Sequence, residues 1–342
     1  AGMISQRKPT KTMTISQKTW MTSSYKIMKF KHKSVLLHET IDNLNPKDGG
    51  LYVDATFGGG GHARYLLSKL NKGTVIGFDQ DEYAISMAKE SFAKELQVGA
   101  EPRLMLVHDN FCHLKENLVE LGISDGIDGI YYDLGVSSPQ FDQPERGFSY
   151  RFDARLDMRM DQSQELDAYT IVNTCSQKEL SDVLYKYGDE KFSRQIARKI
   201  VDRRKEKPIV TTFDLVDVIK DAIPAYARRS GGHPAKKSFQ AIRVAVNNEL
   251  GVLQESLEEA IKLLKPGGRI SVITFQSHED KIVKKIFKKY SEVEIPRGMP
   301  MVPADSKPTL RLISRKPIMA SSDELEENNR SHSAKLRVAE KL

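Results

Sequence analysis

Four consecutive glycines, Gly58, Gly59, Gly60 and Gly61, constrain this chain more than any other feature. They follow residues 51–56, an apolar run that reads as a buried strand, and precede residues 63–70, whose pattern predicts a helix. A strand that ends in glycines which open a helix lets backbone approach a ligand with no side chain in the way. Gly58, Gly60 and Ala63 meet the G-x-G-x-x-A spacing of dinucleotide sites. Asp79 ends the next apolar run (74–78) about 20 positions on, where a carboxylate can hold ribose hydroxyls. A tight structural turn would use the same glycines, but the strand, the helix and the placed acid together point to a nucleoside cofactor.

Strand and helix patterns alternate around this motif. Residues 103–108 and 127–136 read as a third and fourth strand. An amphipathic helix over 251–264 stops at Lys265-Pro266-Gly267-Gly268, and 269–275 follows as a fifth buried strand. Such alternation predicts an α/β, doubly wound, Rossmann-like domain. Residues 141–245 interrupt it with helical pattern alone and read as an inserted helical domain. They divide the sheet domain into 29–140 and 246–320, and both ends of the insertion return to the sheet's carboxyl edge, where such folds place ligands. The tail 321–342 is polar and reads as mobile, or ordered only by packing back. Residues 1–28 hold Ser, Thr and Lys but no acid, and read as a flexible leader. Met28 is a candidate start; a transit peptide and an expression scar share the composition.

Of the 342 residues, 39% are hydrophobic and 29% charged, which suits a globular chain with a real core. No apolar run of about 18 residues predicts a membrane span, and no apolar stretch near the start predicts secretion. Cys112 and Cys175 are the only cysteines and form no CxxC pair, so neither a disulfide framework nor a structural metal site is expected, and a cytoplasmic home is. The net charge of +7 favours an anionic partner.

The cofactor is either a dinucleotide or S-adenosylmethionine. A pyrophosphate prefers donors, yet Asp54 sets a carboxylate beside the glycine loop, which suits the ammonium of S-adenosylmethionine better. Phe111 follows the third strand where an adenine would lie, and core packing is its other reading. The fourth strand runs into Asp133-Leu134-Gly135-Val136-Ser137-Ser138-Pro139-Gln140 at the edge facing a transferable methyl group. An exocyclic base amine is a poor nucleophile, because its lone pair is delocalised into the ring. Acceptors such as Asp133, Ser137 and Ser138 would orient its hydrogens and offset the charge that grows as the methyl arrives; a strand-ending turn is the plainer alternative. Methylation at cytosine C5 needs a cysteine beside the cofactor. Cys112 falls on the adenine side and Cys175 inside the insertion, so direct transfer to nitrogen, without covalent intermediate or metal, is expected. Glu279 and Asp280 fall at the same edge and read first as capping groups, with Ser277 as N-cap and Asp280 in the capping-box position.

The positive charge has an address. Residues 191–207 read as an amphipathic helix with Arg194, Arg198, Arg203 and Arg204 on its polar side. Arg228-Arg229 and Lys236-Lys237 flank Gly231-Gly232-His233-Pro234 in the same insertion. A solvated face explains one such cluster; two over the expected site favour phosphate contacts by Arg194, Arg198, Arg228 and Lys236.

Together these motifs resemble the MraW family, bacterial 16S ribosomal RNA cytosine-N4 methyltransferases. The resemblance runs from Lys31-His32-Lys33-Ser34-Val35 to the end and includes Glu145-Arg146-Gly147-Phe148-Ser149, Leu156-Asp157-Met158-Arg159-Met160, Phe239-Gln240-Ala241-Ile242-Arg243 and Ser333-Ala334-Lys335-Leu336-Arg337. It implies S-adenosylmethionine-dependent methylation of a cytosine N4 in the decoding centre of the small subunit, with 16S rRNA as partner and a Rossmann-like domain carrying an inserted helical domain. It also implies cofactor contacts at Gly60, Gly61, His62, Asp79, Phe111, Asp133 and Gln140, besides Gly58 from the loop motif. His62 and Gln140 rest on resemblance alone. Gln276 and His278 depart from the His and Leu associated with the family, and the Asp-Pro-Pro-Tyr type motif of many amino-methyltransferases is missing. A DNA amino-methyltransferase and a non-catalytic RNA-binding assembly factor are the rival readings, and the oligomeric state, a homodimer included, stays open.

Overall fold

In the computed structural model, which describes residues 33–229, 232–293 and 307–342, seven strands make one sheet. They are β1 (Leu51–Asp54), β2 (Thr74–Asp79), β3 (Arg103–His108), β4 (Ile127–Asp133), β5 (Leu264–Thr274), β6 (Leu310–Leu312) and β7 (Lys335–Lys341). Their spatial order is β3-β2-β1-β4-β5-β7-β6. The first five are parallel, while β7 runs antiparallel between β5 and β6. The order reverses between β1 and β4, so the loops leaving these strands face a crevice at the carboxyl edge, the ligand position of doubly wound folds.

Helices cover both faces of the sheet, which is why its central strands are apolar along their length. On one face α1 (Leu37–Leu44), α2 (Gly61–Ser68) and α3 (Glu82–Ser91) bury Ile41, Leu44, Leu66 and Ala88 against Tyr52, Val75 and Tyr131. On the other, α4 (Leu114–Glu120) packs with two later helices over Val53, Ile76, Ile130 and Val272. Each buried Val, Leu or Ile among them stabilises the fold by about 1.5–3 kcal/mol through removal from water.

After β4 come α5 (Ser138–Asp142), α6 (Ala168–Thr174), α7 (Gln177–Gly188), α8 (Ser193–Glu206), α9 (Thr212–Ala222), α10 (Ala225–Arg229) and α11 (Lys236–Val246). From Phe148 to Val246 this stretch has its own hydrophobic cluster, with Leu184, Ile196, Ile200, Leu215, Ile219 and Ile242 at its centre and no strand residue in it. The chain returns through α12 (Glu249–Leu263) to β5, α13 (Ser277–Ser291) and α14 (Ser322–Glu327).

Several expectations change. The fourth strand ends at Asp133, three residues early, because the chain turns into the loop that carries Gly135 at φ +102. The fifth starts at Leu264, which pairs with Ile127; the Pro-Gly-Gly breaker becomes an irregularity inside β5. The N-cap of α13 is Gln276 and its capping partner Glu279, whose Oε2 accepts the N–H groups of Phe275 and Gln276 at 2.8 and 3.0 Å. Asp280 instead pairs with Arg337 at 2.7 Å. The tail 321–342 takes the second of its two readings and packs back on the sheet. It supplies β7, with Leu336, Val338 and Ala339 buried, because alternate apolar residues among its charges fill the gap beside β5. The leader 1–28, and Lys29 as the start of order, lie outside the described residues. Among the described residues, no helix is long and apolar enough to cross a membrane.

Candidate functional site

The glycine loop sits at the crevice because its ends are tied to neighbouring strands. Ala55 N–H donates to the Tyr131 carbonyl at 3.0 Å, and Phe57 N–H to the Phe78 carbonyl at 2.8 Å. Thr56 Oγ1 accepts the Asp133 N–H at 2.7 Å and so joins the loop to the end of β4. Gly60 turns the chain into α2 at φ +70, a left-handed conformation that favours glycine. A Cβ on Gly61 would meet Ser34 Oγ at 2.1 Å, whereas one on Gly59 would meet nothing within 4 Å. The loop is thus open at Gly59 and covered at Gly61.

Asp79 ends β2 beside this loop. Its Oδ2 accepts the Gly58 N–H at 2.7 Å and its Oδ1 the Asp81 N–H at 2.8 Å. Burial raises its pKa to about 6 against the opposing pull of those two N–H groups. A carboxylate has about four acceptor positions, so two remain for ligand hydroxyls. Asp54 likewise accepts two bonds, from Tyr131 O–H (2.7 Å) and Thr56 N–H (3.0 Å), but it is buried, so its remaining acceptor positions do not reach the crevice. It braces the loop from behind and does not offer an acceptor to an ammonium, which corrects the sequence reading.

Asp133 and His62 hold the centre of the crevice. His62 is buried, and its Nε2 lies 3.1 Å from the Val35 carbonyl, an acceptor only, so Nε2 carries the proton. Burial lowers the His62 pKa to about 4, leaving the ring neutral at physiological pH. Its bare Nδ1 therefore faces Asp133 Oδ2 at 3.7 Å, a contact between two acceptors and not an ion pair. Burial raises Asp133 to about 7, with Arg330 the opposing charge. The other Asp133 oxygen, Oδ1, is buried with no hydrogen-bond partner among the described residues. Among the described residues no other group donates a hydrogen bond to Asp133 Oδ1, Asp133 Oδ2 or His62 Nδ1, so the Asp133 carboxyl is either ionised beside a bare ring nitrogen or itself holds the proton.

The remaining residues expected at the site divide into two groups. Ser138 Oγ accepts a hydrogen bond from Arg330 at 2.8 Å, at the reaction edge. Phe111 is half-buried and packs edge-on against Tyr132 with ring centroids 5.6 Å apart. Beyond the ends of β2 and β3, a cleft of about 510 Å³ is lined by Gln80, Asp109, Asn110, Cys112, Asp161 and Gln164. Ser137 and Gln140, however, form a capping box that starts α5. Gln140 is buried, accepting the Ser137 N–H at 3.1 Å and donating to Asp81 Oδ2 at 2.9 Å. The same Asp81 oxygen accepts from buried Arg146 at 2.8 Å. Gln140 is engaged inside the protein, one step behind the crevice.

Burial raises the pKa of both cysteines, so each is a thiol at neutral pH. Gln276 Oε1 accepts from Gln240 at 2.8 Å, and His278 Nε2 lies 3.1 Å from Asp189, so this segment reaches toward the helical stretch. Arg194, Arg198, Arg228 and Lys236 are exposed, and none has an ion-pair partner among the described residues. Arg204 is spent locally on the carbonyls of Val172 and Cys175 at 2.7 and 2.6 Å. Sequence reasoning missed Arg330, which reaches the crevice from about 200 residues beyond Asp133; no local pattern marks such an approach.

The family described as the MraW methylase family matches residues 29–342. The ribosomal RNA small subunit methyltransferase H of Lactobacillus johnsonii is 99% identical over 315 residues, which is 92% of this chain and 100% of that protein. The counterpart of Lactobacillus acidophilus is 79% identical with the same coverage. Among solved structures, a ribosomal RNA methylase from Streptococcus thermophilus overlays at 12% identity with a TM-score of 0.40, over 91% of this chain and 99% of that one.

Proposed function

The chain belongs to the MraW methylase family, and from that premise we propose that it methylates the N4 amine of a cytosine in the decoding centre of small-subunit ribosomal RNA. It is a ribosomal RNA methyltransferase that depends on S-adenosylmethionine. The observation that carries the site reading is that, among the described residues, nothing donates to Asp133 Oδ1 and the unprotonated His62 Nδ1 lies 3.7 Å from Asp133 Oδ2. Unpaired acceptors in such a place cost free energy that a ligand's N–H groups or positive charge recovers.

The crevice fits the cofactor on its own chemistry. Gly59 leaves room at the loop, the free acceptor positions of Asp79 suit ribose hydroxyls, and the cleft by Asp109 and Asn110 has the size and polarity for a base. When bound, S-adenosylmethionine supplies a methyl group on a positively charged sulfur. Asp133 and His62 orient hydrogens of the incoming amine and of the cofactor's ammonium. Asp133 also offsets the positive charge that grows on the attacked nitrogen, an interaction strongest in the transition state. Ser138 stands beside it as a further polar contact. Gly58, Gly60 and Gly61 shape the loop, Phe111 packs at the base end, and Gln140 holds Asp81 and the α5 turn in place. The exposed Arg194, Arg198, Arg228 and Lys236 contact RNA phosphates.

The test is transfer of a labelled methyl group to unmodified small subunits, followed by mass-spectrometric mapping. Label on one cytosine N4 is expected. Label at carbon 5, on another base, or on naked duplex DNA in preference to subunits would sink the proposal.

A further inference from the structure

The positive charge of the described chain has a second address, in the sheet domain. Helix α13 carries Lys281, Lys284, Lys285, Lys288 and Lys289, all exposed, while Glu279, Val283, Ile286 and Phe287 of the same helix are buried. The lysines thus share the face turned away from the core. Few acids answer them. Glu279 is taken by the N–H groups of Phe275 and Gln276, and Asp280 pairs with Arg337 and Lys335. Lys288 pairs with Glu292 at 3.8 Å, and Lys289 with Glu258 of α12 at 3.3 Å. Lys281, Lys284 and Lys285 have no ion-pair partner among the described residues.

This face starts where the helical stretch docks. Gln276, the N-cap of α13, accepts from Gln240 of α11 at 2.8 Å. His278 Nε2 lies 3.1 Å from a carboxylate oxygen of Asp189, the C-cap of α7. The Asp189 carbonyl in turn accepts from Lys237 at 3.1 Å, and Arg194 follows in the first turn of α8. Lys281 stands one helical turn beyond His278. The lysine row therefore begins beside the exposed cations of α8 and α11. It also begins near the crevice, because α13 leaves β5, whose Ile273 pairs with Asp133.

We propose that the lysine face of α13 binds the phosphate backbone of the ribosomal RNA substrate outside the crevice, as a second contact surface beside that of the helical stretch. This rests on the RNA reading above and adds to it a surface supplied by the sheet domain. From Lys281 to Lys289 the row spans about 12 Å, over which a nucleic-acid duplex presents several phosphates. Lysine is a mobile point charge, suited to backbone contacts that position RNA without reading its bases. A merely solvated face would have the same composition, but it would contribute nothing to binding.

The experiment measures binding of the full chain, with cofactor, to intact small subunits and to protein-free small-subunit ribosomal RNA across a salt series. In the triple variant Lys281→Gln, Lys284→Gln, Lys285→Gln, the slope of log affinity against log salt should fall by about three, one per lost phosphate contact. Affinity at low salt should drop about tenfold or more. The single-turnover rate at saturating subunits should stay native, because these lysines lie outside the crevice. Arginine at the same three positions should keep the slope. Lys72→Gln, Lys89→Gln, Lys94→Gln removes equal charge from exposed sites by the β3 edge, away from α13, and should leave the slope native. A native slope in the folded α13 variant overturns the proposal, and so does an equal loss in the control. A slope that falls with subunits but not with protein-free RNA would put an acidic protein on this face and overturn it as well. Binding is read without methyl transfer. Label on another nucleotide would therefore sink the cytosine assignment, while a lowered slope would still uphold the lysine face.

Discussion

His62 turns its unprotonated Nδ1 toward Oδ2 of Asp133 across 3.7 Å, while Asp133 Oδ1 has no hydrogen-bond partner among the described residues. The separation is too long for a hydrogen bond, and burial keeps the imidazole neutral. Tension of this kind at a strand end is relieved by a ligand that brings N–H groups, so the pair reads as half of a recognition site whose other half is the bound molecule.

Replacement of Asp133 by Asn should therefore have opposite effects on stability and activity. The carboxyl titrates near 7 in the folded protein and about 4 in the unfolded chain. With the folded value raised, the native residue costs nothing below about pH 4 and its full penalty is present above about pH 7. Asp133→Asn should match the native melting curve near pH 4 and be more stable by about 1–3 kcal/mol at pH 8, a figure reduced for water in the cleft. Single-turnover transfer should fall by more than RNA affinity does. Cofactor binding in the same variant separates the two roles of the residue, and a normal rate would remove it from the chemistry.

Asp79 should matter to the cofactor more than to the fold. Its Gly58 and Asp81 bonds shape the loop, and its remaining acceptor positions suit ribose. Asp79→Ala should weaken S-adenosylmethionine binding by about 1.5–3 kcal/mol, the scale of charge-assisted hydrogen bonds. Calorimetry that finds native affinity in a folded variant would place the ribose elsewhere.

The exposed cations of α8, α10 and α11 should act through salt-dependent binding. Removing charge at Arg194, Arg198, Arg228 and Lys236 should lower the slope of log affinity against log salt by about one per lost phosphate contact. Cofactor affinity should stay as it is. A slope that survives all four changes would move the RNA to another surface.

Leu336 tests the C-terminal strand. It is fully buried beside Ile273 in β7. Leu336→Ala should cost about 2–5 kcal/mol, as large core deletions do. A polar, mobile tail would tolerate the change, so an unshifted denaturation midpoint would contradict the strand.

The parts of this protein that its sequence determined are those whose cause is local. The glycines after β1, the acid ending β2 and the apolar runs of β1 to β5 are read from neighbours a few residues apart, because strand, turn and helix preferences act at that range. The helical stretch between β4 and α12 was legible in the same way. What only the tertiary structure decided depends on residues brought together from far along the chain. Asp54 and Asp133 look alike as strand-end carboxylates, yet Tyr131 satisfies one and nothing in the described chain satisfies Oδ1 of the other. Leu336 and Val338 sit among charges that read as a tail until β5 and β6 supply the backbone partners that make them a strand. Arg330 resembles any surface arginine until the packing of Ala334 and Leu336 with Val35 and Leu36 delivers it to Ser138. Hydrogen-bond satisfaction, burial and charge pairing are properties of an assembled neighbourhood, and these contacts exist only once distant segments have packed together.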